Sequence, residues 1–184
     1  MPGPPPKPNR ADLLAAQTKL IPDVIAPGLR VLFVGINPGL YSAAIGCHFG
    51  RPGNRFWPAL HDGGLTPRLF SPRDQFELLP LGLGITNIVP RASARADELS
   101  GSELLAGGGA LLDKVRTYRP RAVAILGITA YRCAFSLPRA QLGFQATPLA
   151  GAALWILPNP SGLNAHFQRA DLARVFGELN AATA

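Results

Sequence analysis

The chain is 184 residues long, 47% hydrophobic and 16% charged, with a formal net charge of +7; these values predict one packed globular domain and favour a nucleic-acid-binding protein over a generally basic one. Cys47 and Cys133 cannot build a disulfide framework, and the three histidines are too scattered to predict a metal site. The apolar runs are shorter than a membrane span and the N-terminus lacks a signal-peptide pattern, so we expect a cytoplasmic protein.

Predicted strands and helices alternate along the chain after a proline-rich extension, residues 1–9, which we expect to be disordered. The remaining residues, 10–184, are predicted to form a single domain. Apolar runs predict four strands, at 29–36, 82–89, 122–126 and 152–157. Apolar residues at helical spacing predict five helices, at 11–20, 54–60, 102–118, 129–135 and 170–179. This alternation predicts an α/β protein with three layers (α/β/α) and a mainly parallel central sheet.

The helix predicted over 102–118 contains the run Gly107-Gly108-Gly109, with Ser102 as the predicted N-cap. Each glycine should weaken a helix by about 1 kcal/mol relative to alanine. The run therefore indicates either a close approach of this helix to the sheet or a bend.

Two polar loops rich in glycine, proline and asparagine directly follow predicted strands. The first loop, residues 35–39, reads Gly35-Ile36-Asn37-Pro38-Gly39. The last loop, residues 159–164, reads Asn159-Pro160-Ser161-Gly162-Leu163-Asn164. Ligands bind at the carboxyl ends of the strands in an open α/β sheet, so we expect both loops to face one crevice.

The first loop places Asn37 at this predicted crevice. An amide stays neutral across the working pH range and cannot act as a general base, but its oxygen can hold and orient a water molecule. That is sufficient for a reaction with a cation-like transition state. The preference of asparagine for turns explains Asn37 equally well.

Two further residues fit a nucleobase site as well as a structural role. Phe49 lies in a stretch dense in glycine, aromatic rings and arginine, and it either joins the core or stacks on an extruded base, which is worth about 1–3 kcal/mol. Asn87 lies on a predicted strand among apolar neighbours. Its amide is either satisfied by nearby backbone or presented to the edge of a pyrimidine.

The last loop combines polar residues with one apolar residue. Asn159 and Ser161 are candidate hydrogen-bond donors to a backbone phosphate. Leu163 either caps the core before the final helix or acts as a wedge that fills the gap left by an extruded nucleotide.

Taken together, these motifs resemble the mismatch-specific uracil-DNA glycosylase and thymine-DNA glycosylase family. The resemblance covers residues 26–179 in order and is carried by Gly-Ile-Asn-Pro-Gly at 35–39, Asn-Arg-Phe-Trp at 54–57 and Asn-Pro-Ser-Gly-Leu at 159–163. It implies an α/β/α uracil-glycosylase fold without metal or cofactor. It also implies hydrolysis of the N-glycosidic bond of uracil mispaired with guanine in double-stranded DNA, a step of base excision repair.

The resemblance further implies roles for individual residues. Asn37 would position the attacking water, Phe49 would stack on the flipped base, and Asn87 would read it. The base pocket would also contain the turn residues Ile36, Pro38 and Gly39. Backbone N–H groups of this turn are expected to stabilise charge on the leaving base. The intercalating wedge, with contacts to the opposite guanine, would be formed by Gly162, Leu163 and Asn164.

Some positions depart from the related patterns. The more efficient uracil glycosylases carry an acidic residue in the first loop and a histidine opening the last one, where this chain has Asn37 and Asn159. We therefore expect a slower enzyme that tolerates several bases. Tyr41, Cys47 and His48, near the predicted pocket mouth, are not typical of the family, so the range of bases beyond uracil stays open.

Asp97 is a second candidate for activating the water, because a carboxylate is a stronger base than an amide. The alternative is that Asp97 and Glu98 supply negative charge to the start of the following helix.

Two other functions compete with this prediction. A nucleotide or phosphate-ester hydrolase needs a phosphate-binding loop with lysine or a carboxylate cluster, and the sequence contains neither. A non-catalytic lesion-binding protein on the same fold would bind uracil-containing duplex with steep salt dependence and release no base. We predict a monomeric DNA glycosylase, with the lesion-binding protein as the alternative.

Overall fold

A five-stranded sheet forms the centre of the computed structural model, which describes residues 7–184. The strands are β1 (Val31–Gly35), β2 (Leu83–Asn87), β3 (Ala122–Leu126), β4 (Gly143–Leu149) and β5 (Ala152–Leu157). Their order in the sheet is β2-β1-β3-β5-β4, and all neighbours are parallel except β4 and β5. The predicted mainly parallel sheet is confirmed.

Helices flank the sheet on both faces. The α-helices are α1 (Arg10–Ala15), α2 (Leu40–Ile45), α3 (Phe56–Asp62), α4 (Gly101–Tyr118), α5 (Ile128–Ala134) and α6 (Arg169–Thr183). Three segments are 3-10 helical, at Ala16–Thr18, Pro72–Leu81 and Ala96–Glu98. None of the helices within residues 7–184 is both long and apolar enough to cross a membrane.

Side chains on alternate positions of a strand enter two separate cores, because successive residues of a strand point to opposite faces of the sheet. In β1, Val31 and Phe33 pack in the core that includes residues of α3 and α6. Leu32 and Val34 pack in the core that includes residues of α4 and α5. The sheet is therefore the middle of three layers, as the sequence predicts.

The glycine run in α4 produces a close approach rather than a bend. A Cβ atom at Gly107 would lie 2.4 Å from the carbonyl oxygen of Ile88, and one at Gly108 would lie 2.4 Å from that of Ala134. The helix is continuous across these positions, so the two glycines allow it to pack against neighbouring backbone.

The N-cap of α4 is Ser100, so the prediction of Ser102 is wrong. The Ser100 hydroxyl accepts a hydrogen bond from the Glu103 backbone N–H at 3.2 Å, and the Glu103 carboxylate accepts one from the Ser100 N–H at 2.9 Å. This reciprocal pair satisfies two helix-terminal donors, which Ser102 cannot do from within the first turn.

Of the N-terminal extension predicted at residues 1–9, residues 1–6 lie outside the described residues and residues 7–9 lie within them. At its end, the Asn9 side chain caps α1 by accepting a hydrogen bond from the Asp12 N–H at 3.0 Å.

Parallel strands bring the two asparagine-rich loops to one edge of the sheet. Gly35 at the end of β1 is opposite Asn87 at the end of β2. Leu126 at the end of β3 is opposite Leu157 at the end of β5. The first and last loops follow β1 and β5, which lie on either side of β3, so both begin at the carboxyl edge, where a ligand site is expected.

Candidate active site

A cavity of about 360 Å³ opens at the carboxyl edge of the sheet. Its lining includes most of the predicted site residues: Ile36, Asn37, Pro38, Gly39, Phe49, Asn87, Asp97, Asn159, Ser161 and Leu163. The lining does not include Gly162 or Asn164. The structure thus gathers residues from five separate segments into one concave site, as expected for a ligand pocket.

The Asn37 amide is held in one orientation by three oxygen atoms. Its Nδ2 donates to the Arg91 carbonyl (2.9 Å), to Ser93 Oγ (2.7 Å) and more weakly to the Pro38 carbonyl (3.2 Å). Ser93 Oγ itself donates to the Arg95 carbonyl at 2.7 Å, so it presents only lone pairs to Asn37. Because all three partners accept, Nδ2 must face them, and Asn37 Oδ1 is left without a partner among residues 7–184.

The segment after β2 supports Asn37, and sequence reasoning missed it. The Ser93 N–H donates to the Pro38 carbonyl (3.1 Å), which ties this segment to the first loop. Arg91 Nε donates to the Glu103 carboxylate at 2.7 Å, and hydrogen bonds from Arg91 and Ser100 lower the pKa of Glu103 to about 2. In the sequence, only position could have identified Arg91 and Ser93, since they follow a predicted strand whose carboxyl end is expected to face the site.

Backbone donors accompany the Asn37 amide in the first loop. The N–H groups of Asn37 and Gly39 make no hydrogen bond to any other residue within 7–184. Such free N–H groups at a cavity can stabilise negative charge.

Phe49 belongs both to the core and to the cavity wall. Its ring stacks on Phe56 with centroids 4.0 Å apart and also lines the cavity. Its backbone has a φ of +51°, a conformation that non-glycine residues adopt infrequently. Both alternatives considered for Phe49 are therefore compatible with its position.

Gly35 makes room for the side chains at the floor of the cavity. A Cβ atom there would lie 2.5 Å from Asn87 Oδ1 and 3.2 Å from Phe49 Cζ. Any larger residue would displace at least the amide, which explains glycine at the start of the first loop.

Within residues 7–184, the Asn87 side chain contacts a buried histidine and forms no hydrogen bond to nearby backbone. Its Nδ2 lies 3.3 Å from His48 Nδ1, and His48 Nε2 lies 3.0 Å from the Pro22 carbonyl. His48 is only 2% exposed, and burial lowers the pKa of its imidazole. The sequence prediction had His48 at the pocket mouth, whereas the structure places it in the cavity wall, almost fully buried between Asn87 and Pro22.

The last loop is held rigidly by its own polar groups. Asn159 Oδ1 accepts from the Ser161 N–H (3.0 Å), and Ser161 Oγ accepts from the Leu163 N–H (3.3 Å). Asn164 Nδ2 donates to the Asn159 carbonyl (3.0 Å), and Asn164 Oδ1 accepts from the His166 N–H (3.1 Å). The Asn164 side chain thus closes the loop on itself.

Arg55 fixes the last loop from outside, a contact that the sequence did not reveal. Its guanidinium donates to the carbonyls of Ser161 (3.0 Å), Asn164 (2.7 Å) and Phe167. Its backbone N–H donates to the Pro160 carbonyl at 2.9 Å. The arginine guanidinium has several N–H donors in fixed directions, so it suits contacts with three carbonyls better than a lysine ammonium group does.

Leu163 is the exposed tip of this rigid loop. Its side chain is 73% exposed, so it does not cap the core. Behind it, Gly162 packs on the loop before α3, where a Cβ atom would lie 2.5 Å from the Gly53 carbonyl oxygen. An apolar side chain held in water on a fixed backbone is suited to insertion into an apolar partner.

Charged groups lie at the rim of the cavity. Asp97 pairs with Arg95, with Arg95 Nε 3.0 Å from Asp97 Oδ1, and its side chain is largely exposed. Arg51 is exposed, lines the cavity and forms no ion pair within residues 7–184. Tyr41, which the sequence prediction had near the pocket mouth, lies on α2 and is absent from the lining.

No group of three or more histidine, cysteine, aspartate or glutamate side chains within residues 7–184 is arranged to hold a metal ion. The two cysteines are free, Cys47 buried and Cys133 exposed.

Comparison with known proteins identifies the family. The sequence profile of the Uracil DNA glycosylase superfamily matches residues 22–182. The chain therefore belongs to the uracil DNA glycosylase superfamily, which supports a DNA glycosylase activity in general terms. A solution NMR structure from Methanosarcina acetivorans, of a protein provisionally described as a uracil DNA glycosylase, is similar in fold. Its TM-score is 0.58 at 20% identity, with 88% of this chain and 98% of that chain covered.

Proposed function

We propose that this protein is a monofunctional DNA glycosylase that hydrolyses the N-glycosidic bond of uracil mispaired with guanine in double-stranded DNA. The observation that carries the proposal is the fixed Asn37 amide. Its Nδ2 is used by three protein acceptors, which leaves Oδ1 as a hydrogen-bond acceptor for water in the cavity.

Capture of the base begins at the last loop. Extruding a nucleotide from a duplex costs a few kcal/mol, least for a mismatched base. Leu163, exposed on its rigid loop, fills the vacated space in the stack and offsets part of this cost. Arg51 at the rim is free to pair with a backbone phosphate.

The extruded base then enters the cavity between Phe49 and Asn87. Stacking on the Phe49 ring contributes about 1–3 kcal/mol. The Asn87 amide offers a donor and an acceptor to the Watson–Crick edge of uracil, whose O4 accepts and whose N3–H donates. Stacking and these hydrogen bonds together hold the base, and thereby place its sugar over the first loop.

Chemistry follows by cleavage of the bond between C1′ and N1 of uracil. The electron pair of this bond goes to the base, which leaves as an anion and later takes a proton from solvent. The Asn37 and Gly39 N–H groups stabilise that charge. A water molecule held by Asn37 Oδ1 adds to the cation-like C1′ and loses a proton to solvent, giving an abasic site.

Asp97 is the alternative water activator. Its carboxylate is already paired with the Arg95 guanidinium at the exposed rim, whereas Asn37 Oδ1 accepts no hydrogen bond from any residue within 7–184. We therefore assign the water to Asn37. Neither loop contains a lysine, so the proposal includes no covalent lyase step.

The test is incubation in EDTA with a labelled duplex carrying one uracil opposite guanine, followed by alkali. Strand scission that requires alkali, and that disappears in Asn37→Ala, is the expected result. Asn9→Ala, the same change at the α1 cap, which does not line the cavity, is the matched control. Tight binding with no abasic product at excess enzyme would contradict the proposal and favour the lesion-binding protein.

A further inference from the structure

A buried histidine that the proposed mechanism does not use contacts the residue that would read the base. His48 is 2% exposed and lies between the Pro22 carbonyl, 3.0 Å from Nε2, and Asn87 Nδ2, 3.3 Å from Nδ1. Its backbone is fixed as well, because its N–H donates to Gln75 Oε1 at 2.9 Å and its carbonyl accepts from Trp57 Nε1 at 3.3 Å. The ring therefore has little freedom to move.

These contacts determine which ring nitrogen carries the proton. A carbonyl only accepts hydrogen bonds, so His48 Nε2 must donate to Pro22. In the neutral ring Nδ1 is then an acceptor, and it can only receive a hydrogen from Asn87 Nδ2. Asn87 thus donates a hydrogen bond to His48, and His48 donates one to the Pro22 carbonyl.

The orientation of the Asn87 amide decides which pyrimidine it matches. Uracil presents an acceptor at O4 and a donor at N3, whereas cytosine presents a donor at N4 and an acceptor at N3. An amide rotated by half a turn exchanges its oxygen and nitrogen and would match cytosine instead. A free asparagine would therefore accept either base.

We propose that His48 is a positioning residue that holds the Asn87 amide in the orientation matching uracil and thereby excludes cytosine. This inference rests on the proposed function, since it needs Asn87 to contact the base. It adds a specificity determinant in the cavity wall that acts through Asn87.

Burial of the His48 ring favours the neutral form that this role requires. Burial lowers the pKa of His48 below its ordinary value, and Lys114 of α4 lowers it further. The Pro22 carbonyl and the Asp23 carboxylate act in the opposite direction. Lys114 and Asp23 are paired with each other, so burial dominates. A protonated ring would present a donor at Nδ1 and favour the rotated amide.

Two substitutions test the two hydrogen bonds of the His48 ring one at a time. In His48→Asn, the amide oxygen can occupy the position of Nδ1 and still accept from Asn87. In His48→Gln, the longer amide reaches the Pro22 carbonyl but leaves Asn87 without its acceptor. His61→Gln on α3 removes a histidine outside the cavity lining and is the control.

The readout is the ratio of dissociation constants for duplexes carrying 2′-fluoro-2′-deoxycytidine or 2′-fluoro-2′-deoxyuridine opposite thymine. Both fluorinated nucleosides resist hydrolysis, and thymine forms a Watson–Crick pair with neither. We expect His48→Gln to lose about tenfold of the wild-type preference for uracil, the equivalent of one hydrogen bond. His48→Asn and His61→Gln should retain it. An unchanged ratio in His48→Gln would overturn the inference while leaving the proposed function intact.

The wild-type protein supplies a second test that does not depend on a variant folding. Because burial lowers the pKa of His48 below its ordinary value, the wild-type preference for uracil should stay constant at pH values above about 6.5 and fall only below that, as His48 is protonated, and the preference of His48→Asn should not fall. Parallel profiles for the two proteins would overturn the inference. A wild-type protein that prefers neither duplex over undamaged DNA would instead overturn the proposed function, and this inference with it.

Discussion

The first and last loops both place an Asn-Pro pair directly after a parallel strand, yet they use the asparagine in opposite ways. Asn37 donates all its N–H capacity to neighbouring segments and leaves Oδ1 free. Asn159 turns its Oδ1 inward to the Ser161 N–H. In the same dipeptide, the asparagine Oδ1 therefore has no partner within residues 7–184 in the first loop and closes a local turn in the last loop. The proposed function assigns a chemical role only to the first.

The difference arises from what packs against each loop. The segment containing Arg91 and Ser93 offers two acceptors to Asn37 Nδ2, and the Pro38 carbonyl of the loop itself is the third. These acceptors force the amide nitrogen inward and the oxygen outward. The last loop meets the donors of Arg55 instead. Those donors engage its carbonyls, so the Asn159 side chain is left to close a local turn.

The largest expected effect on the excision rate is the difference between substituting Asn37 and substituting Asn159. Asn37→Ala should lower the single-turnover rate of uracil excision by about 100-fold or more, because it removes the group that orients the water. Asn159→Ala loses only a turn bond and should lower the rate by less than about fivefold. Excision from a G·U duplex at excess enzyme measures both. Equal losses would mean that the two loops do not differ in role.

Leu163→Ala tests the exposed tip of the last loop. Removing most of an inserted leucine should weaken binding of the uracil-containing duplex by about tenfold. Fluorescence anisotropy with a 2′-fluoro-2′-deoxyuridine duplex measures this affinity. Leu105→Ala, at another exposed leucine on α4, should bind as tightly as the wild type. A similar loss at both positions would point to general surface hydrophobicity.

Arg55→Lys tests whether rigidity of the last loop matters. Lysine keeps the charge but cannot reach three carbonyls in fixed directions, so the affinity for duplex should fall by about fivefold. The chemical step should change little, because Asn37 is untouched. Arg116→Lys, in an exposed ion pair on α4, serves as the control in the same anisotropy assay. Unchanged affinity in Arg55→Lys would show that the clamp is dispensable.

Asp97→Asn carries the smallest expected effect. Since the carboxylate is exposed and paired with Arg95, neutralising it should change the excision rate by less than about twofold. A large loss in the single-turnover assay would mean that Asp97 activates the water and that Asn37 has only a structural role in the turn.

The sequence predicted the buried part of the fold best. The strands at Ala122–Leu126 and Ala152–Leu157 have the predicted bounds, because each is a continuous apolar run in the middle of a parallel sheet. The edge strand Gly143–Leu149 was missed. It contains glycine, glutamine, threonine and proline, and its residues are mostly exposed, so no apolar pattern marks it.

The candidate site divides in the same way. Asn37, Phe49 and Asn87 could be selected because they lie in or near recognisable motifs, and the structure brings them to one cavity. Ser93, His48 and Arg55 orient that site through bonds between segments distant in the sequence. Such contacts leave no periodic or local signal, so only the tertiary structure reveals them.

The most direct test measures rate and affinity together for Asn37→Ala and Leu163→Ala. The single-turnover rate on a G·U duplex and the affinity for the 2′-fluoro-2′-deoxyuridine duplex are determined for each. We predict that Asn37→Ala loses the rate and keeps the affinity, while Leu163→Ala loses mainly the affinity. An Asn37→Ala protein that excises uracil at the wild-type rate would contradict the account.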